Sequence, residues 1–167
     1  MLEVAIGTVV LTMGISAVLS VIIKYSRMSR VNAESTVAQQ AARQMLERMQ
    51  ETNFAQVFAT YNTRTADDPG GVGTAPGRNF QVPGLQPQRT DADGFPGEIN
   101  FPVSGTQLLE NVVDAALGMP RDLNGNGATD ALDHALDYVL LPVAITIRWR
   151  GASGNRAITV RHLLTNR

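Results

Sequence analysis

The sequence predicts an α+β protein, in which a long N-terminal helix, apolar over its first half, packs on a small antiparallel β-sheet domain. Three observations carry that prediction. Val4 to Ile23 form an uncharged apolar run, Val37 to Met49 repeat apolar residues at helical spacing, and the C-terminal stretch alternates apolar with polar residues. A length of 167 residues suits one core plus an extended appendage rather than two full-sized domains. We divide the chain into a helix over residues 1–53 and a head over 54–167, which includes a long loop at 64–94.

The helix comes first. The run VAIGTVVLTMGISAVLSVII, residues 4–23, holds about as many residues as are needed to cross the roughly 30 Å hydrocarbon core of a bilayer. Beyond it, Val37, Ala38, Ala41, Ala42, Met45, Leu46 and Met49 recur at three- and four-residue spacing, with good helix formers such as Gln39, Arg43 and Glu47 between them. No proline occurs before Pro69. One helix from Met1 to about Asn53 follows, greasy all round and then two-faced. Glu3 opens the apolar run with no basic neighbour in sequence. An acidic side chain at the centre of a membrane helix costs about 2.5–3.5 kcal/mol and less near its end, so this carboxylate calls for a partner. Gly7 and Gly14 lie a heptad apart on one face, where small residues let helices approach closely, although glycine is common in membrane helices for other reasons.

These first 50 or so residues resemble the mature amino terminus of the type IV pilin and pseudopilin superfamily, in which a lone Glu precedes a long apolar helix. The resemblance implies a leader peptide removed by a dedicated peptidase, apolar helices bundled in a filament core, and a Glu3 carboxylate that meets the terminal amine of a neighbouring subunit. Only Met1 and Leu2 precede Glu3, where the family normally carries four residues, and the proline that often kinks the family's helix is absent. Any bend would have to come from Gly14 and from Thr12, Ser16 and Ser20. Lys24, Arg27 and Arg30 follow the span and by the positive-inside rule would place the head in the cytoplasm. A cleaved basic leader would remove the charges that set orientation, so the resemblance overrides that rule.

The remaining elements are shorter. From Arg64 to Gly94 the chain is dense in Gly and Pro and reads as a surface excursion with one short strand at Asn79 to Val82. Glu98 to Val103 reads as a strand demoted to an edge by Pro102, and Leu108 to Leu117 as a short helix stopped by Gly118 and Pro120. Val143, Ile145, Ile147 and Trp149 alternate with polar or small residues, GASGN supplies a turn, and Ile158, Val160 and Leu164 alternate again. That is an antiparallel hairpin whose apolar face the long helix can cover, an arrangement similar to minor pilins and pseudopilins. Arg148, Arg150, Arg156, Arg161 and Arg167 follow the last acid, Asp137, and read as a solvated face.

One segment has metal-ligand spacing. DLNGNGATDALD, residues 122–133, places oxygen donors at positions 1, 3, 5, 9 and 12 of a twelve-residue loop with glycine at 6, the pattern of an EF-hand-like calcium site. The candidate Ca2+ ligands are Asp122, Asn124, Asn126, the Ala128 carbonyl, Asp130 and Asp133, where Asp replaces the usual Glu as in dockerin-type loops. The alternative is an Asn- and Gly-rich turn joining Pro120 to a helix over 131–136.

Composition excludes other classes. With no cysteine there is no disulfide, thiolate zinc site or cysteine nucleophile. Fourteen Lys and Arg offset by fifteen Asp and Glu, never in a dense block, argue against a nucleic-acid partner. His134 and His162 are the only histidines and belong to no nucleophile pattern, so we expect no enzyme. The expected function is a structural subunit of a type IV pilus-like or pseudopilus filament. It would reside in the inner membrane before assembly, then join copies of itself or related pilins outside the cell or in the periplasm. Two other readings stay open: a monomeric membrane-anchored protein with an extracytoplasmic, calcium-stabilised binding domain, and a membrane-tethered enzyme.

Overall fold

The computed structural model describes residues 2–166. Met1, at which the sequence reading starts the helix, and Arg167, counted in the basic tail, lie outside the described residues. The fold is α+β. Helix α1, Leu2–Glu51, is continuous over 50 residues, about 75 Å at 1.5 Å per residue. Its hydroxyls bond back to its own carbonyls, as in Ser16 Oγ to the Thr12 carbonyl at 2.8 Å and Ser20 Oγ to that of Ser16 at 2.8 Å. They leave no side-chain donor seeking water along the apolar half.

The alanine-rich stripe sinks into the head as its spacing requires. Ala38, Ala42, Met45 and Met49 are buried, with Val37, Ala41 and Leu46 packed beside them. At the end of α1, Asn53 caps a second helix, α2 (Phe54–Tyr61), by accepting the Ala55 N–H at 3.2 Å. The sequence reading did not include α2. Its Val57, Phe58 and Tyr61 are buried, and Tyr138 locks it down by donating from its hydroxyl to the Phe54 carbonyl and accepting the Phe58 N–H at 3.2 Å. Burial pushes the Tyr138 phenol pKa up, which keeps that donor protonated.

The main sheet has strands β1 (Asn79–Phe80), β2 (Gly97–Asn100), β5 (Leu140–Gly151) and β6 (Gly154–Thr165) in the order β1-β2-β5-β6, all antiparallel. A separate ribbon pairs β3 (Val103–Ser104) with β4 (Gln107–Leu108). The hairpin β5–β6 turns through Ala152 and Ser153, with Gly151 opposite Gly154 at φ +105°. Its alternation places Val143, Ile145, Ile147 and Trp149 in the core, and α1 lies against both strands. At the hairpin tip, Glu34 of α1 accepts from Trp149 Nε1 at 3.2 Å and from the Ala152 N–H at 3.1 Å.

Three expectations need correction. β2 is not an edge: it lies between β1 and β5 and ends at Asn100, so Pro102 falls outside the ladder. Residues 108–117 are not helical: Leu108 ends β4, the N–H groups of Leu108 and Leu109 go to Asp133 Oδ1 and the Pro102 carbonyl, and the stretch beyond them is irregular. Asp114 then accepts from Ala116 and Leu117 in a turn, and Val113, part of the misleading apolar spacing, is 88 % exposed. Residues 131–136, the helix of the alternative reading, form turns in which Asp130 and Asp133 accept the Leu132 and Ala135 N–H groups.

Candidate functional site

Two places in the molecule are candidates for a functional role. The first is the N-terminal half of α1. It is long and apolar enough to cross a membrane, and none of that stretch is buried by the rest of the chain. Leu2, Val4, Val10, Leu11, Met13, Val21 and Ile23 are each more than 60 % exposed. Covering a fully exposed side chain of this kind is worth about 1.5–3 kcal/mol, so the whole segment left in water forfeits on the order of 10 kcal/mol. That rivals the roughly 5–15 kcal/mol that stabilises an entire domain. Such a segment is compatible with cover by lipid or by protein.

The predicted assembly residues sit on this surface. Gly7 and Gly14 are exposed, and a Cβ added to either would meet nothing within 4 Å, so both remain available to a close-packing neighbour. An apolar groove beside Gly14 is lined by Val10, Leu11, Ile15, Val18 and Leu19. Glu3 lies in the first turn of α1, where a carboxylate suits the helix dipole, and pairs with no Lys, Arg or His of the described residues.

The second place is the irregular segment between β4 and β5. Glu110 is fully buried. Its Oε1 accepts from the N–H groups of Leu123 at 2.6 Å and Asn124 at 3.2 Å, and its Oε2 accepts from that of Asp130 at 3.1 Å. One carboxylate thus organises a loop with no regular secondary structure, since a buried charge is tolerable only when its oxygens are satisfied. His134, also buried, is bracketed by Asp130 Oδ1 at 3.0 Å from Nε2 and Asp137 Oδ1 at 3.0 Å from Nδ1, with Glu110 Oε2 at 3.7 Å. Burial acts against the charged imidazole, but the hydrogen bonds to Asp130 and Asp137 and the charge of Glu110 outweigh it and raise the pKa.

Glu110, Asp130 and His134 each offer one ligand atom, all within 4.8 Å of one another, and this group could hold a metal ion. Of the sequence-predicted ligands, only Asp130 belongs to it. Asp122, Asn124, Asn126 and Ala128 belong to the neighbouring loop. Asp122 accepts from the N–H groups of Gly125 and Gly127, each at 2.6 Å, Asn124 Oδ1 from that of Asn126 at 3.1 Å, and Asn126 Oδ1 from that of Ala128 at 2.8 Å. The Gly127 bond, with the others behind it, holds the Asp122 carboxyl below the usual carboxylate range. The Leu132 N–H and then His134 do the same for Asp130. Asp133, the twelfth position, turns to β4 and accepts the Leu108 N–H at 3.0 Å, with Arg64 at 3.9 Å.

Sequence reasoning missed Glu110 and Asp137, and it found no nucleophile pattern around His134 and did not count it as a ligand. Glu110 stands inside an apolar periodicity that read as a helix, and nothing local marks it as the centre of a loop 13 to 20 residues further on. No protein-family model, curated protein or solved structure matches the chain.

Proposed function

We propose that the protein is a structural subunit of a type IV pilus-like or pseudopilus filament, held in the inner membrane by its apolar helix and then assembled with copies of itself or related pilins. The observation that carries the reading is the division of labour along α1: one half fully uncovered and apolar, the other half walled into the head by Ala38, Ala42, Met45 and Met49. A helix built this way delivers a folded head at a fixed distance from whatever covers its front. In this reading the molecule has no catalytic role, and Glu3 is neutralised by a neighbouring subunit. The test is assembly. Filaments on micrographs or in a sheared cell-surface fraction, lost on Glu3→Ala while the head melts normally, support it. Recovery only as a membrane monomer, with Glu3 dispensable, supports instead an anchored protein whose outer domain binds a partner.

The loop at Asp122–Asp133 is proposed to take calcium as a staple for a head that has no disulfide. The reading is supported by the spacing and by the turn in which Asp122 accepts from Gly127, the sixth position, and Asn124 and Asn126 fold onto the residues two further on, each oxygen keeping a further lone pair. At a hundredfold excess over Kd, an ion adds about 2.7 kcal/mol, or roughly 5–10 °C in a chain of this length. Calcium should raise the melting temperature and chelator lower it. A rise with zinc alone would move the ion to Glu110, Asp130 and His134, a nitrogen-containing set suited to a softer metal. An unchanged melt with either ion removes the staple.

A further inference from the structure

We propose that the groove beneath the hairpin tip binds the head group of an anionic phospholipid in the leaflet that faces the head. This inference rests on the membrane-held stage of the proposed function. The groove, of about 540 Å³, is lined by Ile22, Ile23, Ser26, Arg27 and Arg30 of α1 and by Ala152 at the tip of β5–β6. It is two-toned along its length. Ile22 and Ile23 end the apolar run, and Arg27 and Arg30 begin directly above them, three residues apart and therefore on one side of the helix.

The heights agree with a bilayer surface. Lys24, Arg27 and Arg30 lie one, four and seven residues beyond Ile23, so they stand about 1.5, 6 and 10.5 Å above the end of the apolar span. The polar layer of a leaflet is roughly 5–7 Å deep. The long side chains of Arg27 and Arg30 can thus reach phosphate while the isoleucines meet acyl chain. The head supplies the far wall, because Glu34, seven residues beyond Arg27 on the same side, holds the Ala152 N–H and keeps the hairpin tip against the helix. Arg156, opposite Trp149 in the ladder, adds a further cation beside the tip.

The charges are unspent. Among the described residues no carboxylate lies within ion-pair distance of Lys24, Arg27, Arg30 or Arg156. Glu34, the acid nearest them on α1, is engaged with the Trp149 and Ala152 N–H groups. Cations just outside a membrane span are drawn to the negative surface of anionic lipid, and guanidinium forks match phosphate oxygens. Bound lipid would seat the hairpin tip on the surface and fix the tilt of the head.

The chain has no cysteine, so Ser153→Cys gives a single labelling position in the exposed turn. The full-length variant, carrying a fluorophore there, is incorporated into vesicles of phosphatidylcholine alone, or of about two parts phosphatidylcholine to one part phosphatidylglycerol, each with a quencher on its head groups. Quenching should be about two-fold stronger or more in the anionic vesicles, should fall in high salt, and should become equal in both when Arg27→Gln and Arg30→Gln are added. Both arginines are exposed, and a melt of the double variant checks that the head is intact. Equal quenching in the two lipids before those substitutions, or lipid dependence that survives them, overturns the proposal. So does quenching that ignores lipid charge but follows protein density with cross-linking through residue 153, which assigns the groove to a second copy. Flotation with neutral vesicles reads the anchor separately: a chain that floats with neither lipid takes down the membrane-held stage itself.

Discussion

Glu110 shows how much one side chain can organise. Three backbone N–H groups from two separate stretches converge on its carboxylate, within a segment between Gly118 and Val139 that has no helix or strand of its own. Glu110→Gln keeps the shape but replaces one acceptor oxygen by a donor facing N–H groups, and should cost about 2–4 kcal/mol in urea unfolding. Glu34→Ala releases the hairpin tip from α1. With Glu34 only partly buried, a smaller loss of about 1 kcal/mol is expected in the same measurement, with faster hydrogen exchange at Ala152. Gly97 has the opposite significance, since what matters there is the absence of a side chain. The Phe80 ring lies across it from the neighbouring strand, and an added Cβ would collide with that ring, so Gly97→Ala should destabilise by roughly 1–3 kcal/mol in thermal melts.

At the scale of elements, the contact between α1 and the sheet is set by two alanines that are wholly inaccessible, Ala38 and Ala42. Ala42→Leu forces the helix off the hairpin and should cost about 1–3 kcal/mol in denaturant melts, whereas Ala33→Leu on the exposed side should change little. This interface was readable in advance because period 3.6 on the helix and period 2 on β5 each announce a face, and the two faces need each other. The same logic explains what was not readable. The order of residues 109–139 comes from carboxylates reaching backbone far along the chain, and such bonds leave no periodic trace in sequence. Leu108, Val112, Val113 and Leu117 mimic a helix face, yet Val113 points to solvent. Pro102 was over-read for a related reason: its penalty applies inside a ladder, and β2 stops before it. In the candidate metal loop, the donors and the glycine were visible as spacing, while the buried acid and imidazole behind them were not.

For the whole molecule, the apolar front and the head are energetically separate, because every described residue before Val31 is exposed. Removing residues 2–23 should leave the head's unfolding free energy within about 0.5 kcal/mol of the full chain while abolishing detergent dependence, which sedimentation and a denaturant melt together can check. Mechanically, though, the two are not separate. Because α1 runs unbroken from Leu2 to Glu51, tension applied to its front reaches the head along the helix axis. It is then passed to the buried row from Ala38 to Met49, which takes up the load from its anchor side onward. The Glu34 latch at the hairpin tip meets that load first, so a stretched subunit should begin to yield at the turn nearest its anchor and keep its far end folded longest.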